Sequence, residues 1–262
     1  MKKYNGILTF AMKMIGAILL LGSSLAFAGT ALRQQAIKNV VLVHGAFADG
    51  SGWEMVAKIL RKDGYSVSVA QEPETSFAED VKFTKRLIDQ QHGPVVLVGH
   101  SYGGAVITEA GNDPNVAALV YIAAFALDTG ESCGSIQQAM PPASTGVKMT
   151  DDGFFYLDPA VFHADFAADL PAEKAEFMAA SQVLVSADSL THAVTAPAWR
   201  TKPSWYMVAT GDRAINPNQE RMMAKRAKST TIEVKSCHCA YMAFPKETAK
   251  LIEAAATGAM GQ

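Results

Sequence analysis

Short apolar runs rich in β-branched residues recur along the chain and alternate with stretches whose apolar residues have helical spacing. The runs predict buried strands over residues 39–43, 94–98 and 116–123, and further strands over residues 65–70, 204–209 and 230–235. The stretches between them predict helices over residues 51–61, 76–91 and 217–227, and a last helix from about residue 246. Wholly apolar strands that alternate with helices predict an α/β fold with a mostly parallel, doubly wound sheet.

This alternation breaks between about residues 125 and 202, where prolines, aromatic residues and Ala-rich stretches such as 172–185 replace it. An insertion late in an α/β sheet predicts a helical cap over a site at the carboxyl ends of the strands. Internal repeats and linker-like boundaries are absent from the sequence, so we expect one α/β domain that carries its own cap.

The first 28 residues have the pattern of a secretory signal. Three lysines flank an apolar stretch over residues 14–21, and small residues lead to the A-x-A cleavage site Ala26-Phe27-Ala28. The alternative is a membrane anchor, but the apolar run is shorter than the ~20 residues that a span needs. We therefore expect a signal peptide over 1–28, a domain over 29–262 in the periplasm or medium, and no stable membrane insertion after cleavage.

Composition excludes several other classes of protein. Of the 262 residues, 49% are hydrophobic and 18% are charged, which does not fit a disordered or fibrous chain. The formal net charge is -2, and removal of residues 1–28 leaves 20 basic and 25 acidic residues. Because no cluster of basic residues stands out, we expect no nucleic-acid partner.

The strongest motif is Gly99-His100-Ser101-Tyr102-Gly103, which directly follows one predicted strand and precedes a helical run. A strand, a tight turn and a helix in this order form a nucleophile elbow, in which glycines let the strand and the helix approach closely. The serine then lies at a helix N-terminus, which favours developing negative charge. Ser101 is the expected nucleophile, and the alternative is a glycine-rich turn without a catalytic role.

His238 is the expected general base among the six histidines. It follows the last predicted strand by three residues, so it lies at the same edge of the sheet as Ser101. The alternative is an ordinary loop histidine. The other histidines are expected to support loop packing (His44, His100), to be solvated (His92) or to be candidates for lining the pocket (His163, His192).

Asp212 is the expected orienting acid, because it lies just beyond the strand predicted at 204–209. Asp128, beyond the preceding strand, is the competing candidate. A tetrahedral intermediate also needs two fixed N–H donors for its oxyanion. We expect these from Tyr102, directly after the nucleophile, and from Ala46, with the neighbouring Phe47 as the alternative.

With these motifs the sequence resembles the α/β-hydrolase superfamily across residues 29–262. It is most similar to a small, cofactor-free branch that contains methyl-salicylate-type esterases, hydroxynitrile lyases and bacterial esterase relatives. The stretches that carry this resemblance are VLVHGAFADGSGWEMV, LVGHSYGGAVI, YIAAFALDTGES, SWYMVATGDRAINPNQERMMAKRA and IEVKSCHCAYMAFP. The resemblance implies a triad of Ser101, Asp212 and His238, and no cofactor.

Lyases of this branch tend to carry Thr after the first-strand His and Lys after the catalytic His, where this chain has Gly45 and Cys239. We therefore expect a serine esterase that acts on a small ester. The alternatives are a hydroxynitrile-lyase-like or other C–C lyase that uses the triad as a base, and a ligand-binding scaffold without catalysis. The apolar residues of the cap predict an apolar acyl or alcohol group; they are Phe125, Met140, Phe154, Phe155, Phe162, Phe166 and Met178.

The three cysteines, Cys133, Cys237 and Cys239, all lie on the predicted active-site side of the sheet. In an oxidising compartment we expect Cys133 to form a disulfide with Cys237 or Cys239. The alternative is three unpaired buried thiols. Cys237-His238-Cys239 lacks a second pair of ligands and is a weak zinc signature, so we expect no metal site. No pattern in the sequence indicates an oligomeric state.

Overall fold

The computed structural model describes residues 37–259. Its strands are β1 (Asn39–Val43), β2 (Ser66–Val69), β3 (Val95–Ser101), β4 (Val116–Ala124), β5 (Val147–Met149), β6 (Phe154–Leu157), β7 (Val185–Ser186), β8 (Ser204–Ala209) and β9 (Thr230–Val234). Its helices are α1 (Glu54–Lys62), α2 (Phe77–Asp89), α3 (Tyr102–Ala110), α4 (Cys133–Ala139), α5 (Pro159–Phe166), α6 (Ala172–Ala180), α7 (Ala187–Thr191), α8 (Pro217–Arg226), α9 (Ala240–Ala243) and α10 (Pro245–Gly258).

The expected signal peptide at residues 1–28, with its cleavage site, lies outside the described residues. Between residues 37 and 259, no helix is long and apolar enough to cross a membrane.

The central sheet has the strand order β2-β1-β3-β4-β8-β9, and each neighbouring pair is parallel. The expected mostly parallel, doubly wound α/β fold is thus confirmed. Because parallel strands share one direction, the ends of β1, β3, β8 and β9 meet at one edge of the sheet. The candidate site residues follow these strand ends.

Alternate residues of the strands pack into two separate cores. One face, with residues such as Val41, Leu97 and Tyr121, packs against α2, α3 and α8. The other face, with residues such as Leu42 and Val120, packs against α1 and α10. Burial on both faces explains why the inner strands β1, β3, β4 and β8 are mostly apolar, whereas the edge strands β2 and β9 keep polar residues.

The cap, defined here as the chain between β4 and β8, contains α4 to α7 and also an antiparallel sheet in the order β5-β6-β7. From the sequence we expected a helical cap, with the Ala-rich stretch 172–185 as one of its helical pieces. That helix, α6, ends at Ala180, and Val185 instead pairs with Phe155 of β6. These strands are two to four residues long, too short for their period to be read from the sequence.

Candidate active site

Ser101 occupies the sharp turn between β3 and α3. Its backbone has φ 52° and ψ −123°, a left-handed conformation that costs free energy in a residue other than glycine. Ser101 is nine-tenths buried or more and lines a cavity beneath the cap. The turn therefore holds the hydroxyl at the carboxyl edge of the sheet, as the elbow motif predicts.

The flanking glycines are required by close backbone approach. A Cβ atom on Gly99 would lie 2.5 Å from the carbonyl oxygen of Gly103, and one on Gly103 would overlap the carbonyl oxygen of His44. The strand and the helix can thus pack this closely only without side chains at both positions.

His238 and Asp212 form a buried pair next to this turn. The Nδ1 atom of His238 lies 2.5 Å from Oδ2 of Asp212, and both side chains are almost fully buried. The other ring nitrogen, Nε2, has no hydrogen-bond partner among the described residues. His238 and Ser101 line the same cavity, so the unpartnered Nε2 is available for proton transfer there.

The other carboxylate oxygen of Asp212 accepts hydrogen bonds from the backbone N–H groups of Ala214 (2.7 Å) and Ile215 (2.9 Å). These donors stabilise the charge and fix the plane of the carboxylate. Glu220 lies behind it and accepts a hydrogen bond from the N–H of Ala209 at 3.0 Å. Burial, followed by the charge of Asp212, raises the pKa of Glu220 well above its ordinary value, which favours a neutral acid at that position.

Asp128, the competing acid, does not contact His238. It forms an ion pair with Arg200, with 2.5 Å between Oδ1 and the guanidinium Nη2. Of the two candidates that the sequence left open, the structure brings only Asp212 to the histidine.

The turn after β1 passes directly beside Ser101. A Cβ atom on Gly45 would lie 2.6 Å from Cβ of Ser101, so glycine is required here by proximity to the nucleophile. Both Ala46 and Phe47 line the cavity next to Ser101. The structure therefore brings both oxyanion donors that the sequence suggested to the same cavity as the serine.

Tyr102 is the first residue of α3, so its N–H has no partner in the preceding turn of the helix. Its side chain points away from the reacting atoms: the phenol donates a hydrogen bond to Oδ2 of Asp80 at 2.6 Å. Tyr102 also lines the cavity beside Ser101. The first residue of the helix is thus anchored through its side chain beside the cavity that Ser101 lines.

The remaining histidines have different surroundings. Nε2 of His100 lies 3.0 Å from the carbonyl oxygen of His238 and must donate to it, because a carbonyl can only accept. His100 therefore ties the nucleophile elbow to the loop of the base. In the cap, His163 bonds to the carbonyl of Leu170 and His192 stacks on Phe77, and neither lines the cavity beside Ser101.

The cavity above Ser101 has a volume of about 450 Å³. Of the aromatic cap residues expected to line it, Phe125, Phe155 and Phe166 do so. Met140, Phe154, Phe162 and Met178 do not, and Phe162 instead packs in the core of the cap. The sequence analysis missed several lining residues, most of them on the loop before β5 and on α4 and α7; they are Gln137, Gln138, Pro142, Ser144, Thr145, Val147, Leu157, Leu190 and Thr191.

The expected disulfide is absent: all three cysteines are free, buried thiols. Cys133 begins α4 and packs in the core that contains α3. Cys237 and Cys239 pack with Phe166 in a separate cluster between the cap and the loop that carries His238. The prediction was wrong because residues on one side of a sheet can still belong to different apolar clusters. Burial raises the pKa of each thiol, which makes all three less reactive.

A group of buried acids near the turn after β1 was not predicted from the sequence. Glu72, Glu74 and Asp80 are each at least nine-tenths buried. Their stretch of sequence has the polar composition of a surface loop, and no motif marks it. Only the packing of α2 and of the loop between β2 and α2 reveals that these carboxyl groups are internal.

Comparison with known proteins agrees with this architecture. A carbendazim hydrolyzing esterase from Nocardioides sp. (strain SG-4G) is 33% identical over 151 residues, which are 52% of this chain and 61% of that protein. A pyrethroid hydrolase from Sphingobium faniae JZ-2 superposes with a TM-score of 0.70 at 21% identity, covering 84% of this chain and 98% of that one. An extracellular alpha/beta-hydrolase from a Paenibacillus species gives a TM-score of 0.67 at 21% identity, over 83% and 98% of the two chains.

At such identities the superpositions show a shared fold. A family model also matches the sequence itself: residues 40–251 fit the alpha/beta hydrolase family from β1 into α10. This range contains the elbow and both residues of the buried His–Asp pair. The chain therefore belongs to the alpha/beta hydrolase family.

Proposed function

We propose that this chain is a serine hydrolase that cleaves small carboxylic esters through an acyl-enzyme on Ser101. One observation carries the proposal. The imidazole of His238 is held at Nδ1 by Asp212, while its Nε2 is unpartnered among the described residues and borders the cavity that Ser101 lines. A ligand-binding scaffold has no need of this arrangement, and a serine nucleophile does.

In the proposed reaction, the hydroxyl oxygen of Ser101 attacks the ester carbonyl and His238 Nε2 takes its proton. The backbone N–H groups of Ala46 and Tyr102 bind the oxyanion that forms. Collapse of the tetrahedral intermediate breaks the ester bond, and His238 returns the proton to the leaving alcohol. Water then attacks the acyl-enzyme with the same base, which releases the acid and regenerates Ser101.

The chemistry of the cavity supports uncharged substrates with an apolar acyl or alcohol group. Its wall combines aromatic and aliphatic side chains with neutral polar groups such as Thr145 and Thr191. None of the residues that line it is Asp, Glu, Lys or Arg. A charged substrate would lose its hydration without gaining an ion pair, so it would bind poorly. The name of the Nocardioides relative, an esterase, agrees with ester hydrolysis.

A fluorophosphonate probe and a panel of esters of varied acyl and alcohol length test the proposal. We expect the probe to label Ser101, and Ser101→Ala to lose labelling and nearly all hydrolysis while it remains folded. Ser51→Ala, which changes an exposed serine away from the cavity, serves as the control and should behave like the parent. Labelling of another residue, or a fully active Ser101→Ala, would contradict the proposal. Turnover of a hydroxynitrile without any acyl-enzyme would favour a lyase.

We further propose that the protein acts outside the cytoplasm after removal of residues 1–28. The basic N-terminus, the apolar stretch and the A-x-A site support this. The full chain is expressed in cells, and the mass of the intact purified protein is measured. The mass should correspond to a chain that begins at Gly29. An unprocessed N-terminus would contradict the proposal.

A further inference from the structure

His44 is a fully buried histidine with two specific hydrogen bonds, directly after β1. Its Nε2 lies 3.0 Å from the backbone nitrogen of Glu72, and its Nδ1 lies 3.1 Å from the carbonyl oxygen of Gly45. Because the N–H of Glu72 can only donate, Nε2 must accept and the proton must be on Nδ1. The surroundings therefore select one neutral tautomer, whose Nδ1–H donates to Gly45.

The groups around His44 keep this tautomer uncharged. Burial lowers the pKa of His44, so the imidazolium form is disfavoured. The nearest carboxyl oxygen is Oε1 of Glu74, 3.6 Å from Nδ1. Burial, reinforced by Glu72 and Asp80, raises the pKa of Glu74 well above its ordinary value. A neutral imidazole beside a neutral carboxyl group is thus the arrangement that fits this buried site.

The carbonyl that His44 binds belongs to a functionally placed peptide group. The C=O of Gly45 and the N–H of Ala46 are parts of one planar unit and point in opposite directions. Holding the oxygen on the His44 side therefore fixes the direction of the Ala46 N–H, in a turn that packs against Ser101 at Gly45. A hydrogen bond to the oxygen also polarises the amide and strengthens its N–H as a donor.

This turn needs external support because it is strained. Phe47, next in the chain, has φ 64°, a left-handed conformation that is costly for a bulky residue. The loop between β2 and α2 supplies that support, because the N–H of Glu72 holds the imidazole of His44, which in turn binds the carbonyl oxygen of Gly45.

We propose that His44 is a positioning residue, which orients the Ala46 oxyanion donor through its Nδ1–H. The inference rests on the proposed function, since an oxyanion donor matters only for a reaction that forms an oxyanion. His44 does not line the cavity, so it acts through Ala46 and not on the substrate.

Two substitutions separate the two hydrogen bonds of His44. In His44→Asn the amide nitrogen occupies the place of Nδ1 and keeps the donor to Gly45, whereas in His44→Gln the amide oxygen occupies the place of Nε2 and keeps only the acceptor for Glu72. We expect His44→Gln to lower kcat by about 10- to 100-fold, a part of the 10²–10³ that loss of a whole donor costs, with KM little changed. His44→Asn should keep a kcat close to that of the parent.

Each variant loses one buried hydrogen bond, so a purely structural role of His44 would lower kcat equally in both. Equal losses of kcat in the two variants would therefore overturn the inference. Full activity in His44→Gln would overturn it too. If His44→Gln does not fold, the ¹⁵N chemical shifts of the His44 imidazole in the parent decide: a proton on Nδ1 supports the inference and a proton on Nε2 overturns it. Failure of the proposed function is distinct, because the parent itself would then neither hydrolyse esters nor react with the fluorophosphonate.

Discussion

Both carboxylate oxygens of Asp212 have hydrogen-bond partners, and this fixes how the side chain binds His238. One oxygen receives two backbone N–H groups and the other receives the imidazole. A carboxylate held in this way keeps the imidazole in one tautomer and one orientation. The neutral acid expected at Glu220 adds no second negative charge behind it.

We predict that Asp212→Asn lowers kcat by about 10⁴-fold, because an amide cannot hold the tautomer that leaves Nε2 free to accept the serine proton. Steady-state kinetics with the best ester of the panel measure this loss. Asp128→Asn is the matched control: it weakens a partly exposed ion pair with Arg200, which contributes at most about 1 kcal/mol to stability, and should leave kcat unchanged. Equal losses in the two variants would show that Asp212 has no special role.

The elements around Ser101 meet with almost no intervening loop. β3 ends at Ser101 and α3 begins at Tyr102, so the strained serine is held by the packing of both elements. A buried polar network lies behind Tyr102. The hydroxyl of Ser189 in α7 lies 3.2 Å from Oδ2 of Asp80, and the same carboxylate oxygen binds the phenol of Tyr102. A helix of the cap is thus connected through one buried carboxyl group to the residue after the nucleophile.

The packing of β3 on α3 leads to a prediction about glycine. Gly99→Ala should destabilise the protein by about 1–3 kcal/mol, because its Cβ would lie 2.5 Å from backbone that cannot easily move. Gly134→Ala in α4 is the matched substitution, since its Cβ would have no neighbour closer than 3.5 Å. It should stabilise the protein by about 0.4–1 kcal/mol. Denaturant unfolding measures both, and a Gly99→Ala variant as stable as the parent would show that the elbow can relax.

Over the whole molecule, the buried acids Glu72 and Glu74 couple stability to pH. Burial raises the pKa of both well above the ordinary value of 4.5. The folded state therefore retains protons that the unfolded state releases above that value. Unfolding releases protons, so stability is greatest below about pH 4.5 with respect to these groups and falls as the pH rises toward their folded pKa values.

We predict that the double variant Glu72→Gln and Glu74→Gln removes part of this pH dependence. Glutamine keeps the acceptor for the Thr84 hydroxyl, which lies 2.9 Å from Glu72, but it cannot ionise in the unfolded state. The free energy of unfolding of the variant, relative to the parent, should therefore increase between about pH 5 and pH 8. The exposed Glu54→Gln is the control and should show no such trend. A constant difference across this range would mean that the two acids are not neutral in the folded protein.

Local sequence patterns were sufficient to predict much of the central sheet and of the candidate site. The apolar runs predicted the strands of the central sheet to within a few residues, because strands buried on both faces must be apolar throughout. The glycines around Ser101 predicted the elbow, because close backbone approach excludes a side chain. The positions of Asp212 and His238 after successive parallel strands predicted that they would meet at one edge of the sheet.

Only the tertiary structure decided between candidate residues that the sequence pattern did not distinguish. Asp128 and Asp212 both follow strands, and only packing directs one to Arg200 and the other to His238. The cysteines lie on one side of the sheet but enter different apolar clusters. The acids before α2 read as a solvated loop and are buried. By itself the sequence determined the elements and their chemical candidates, since these depend on period, spacing and backbone sterics. Which side chains touch depends on contacts between residues far apart in the chain, and only the folded structure specifies those.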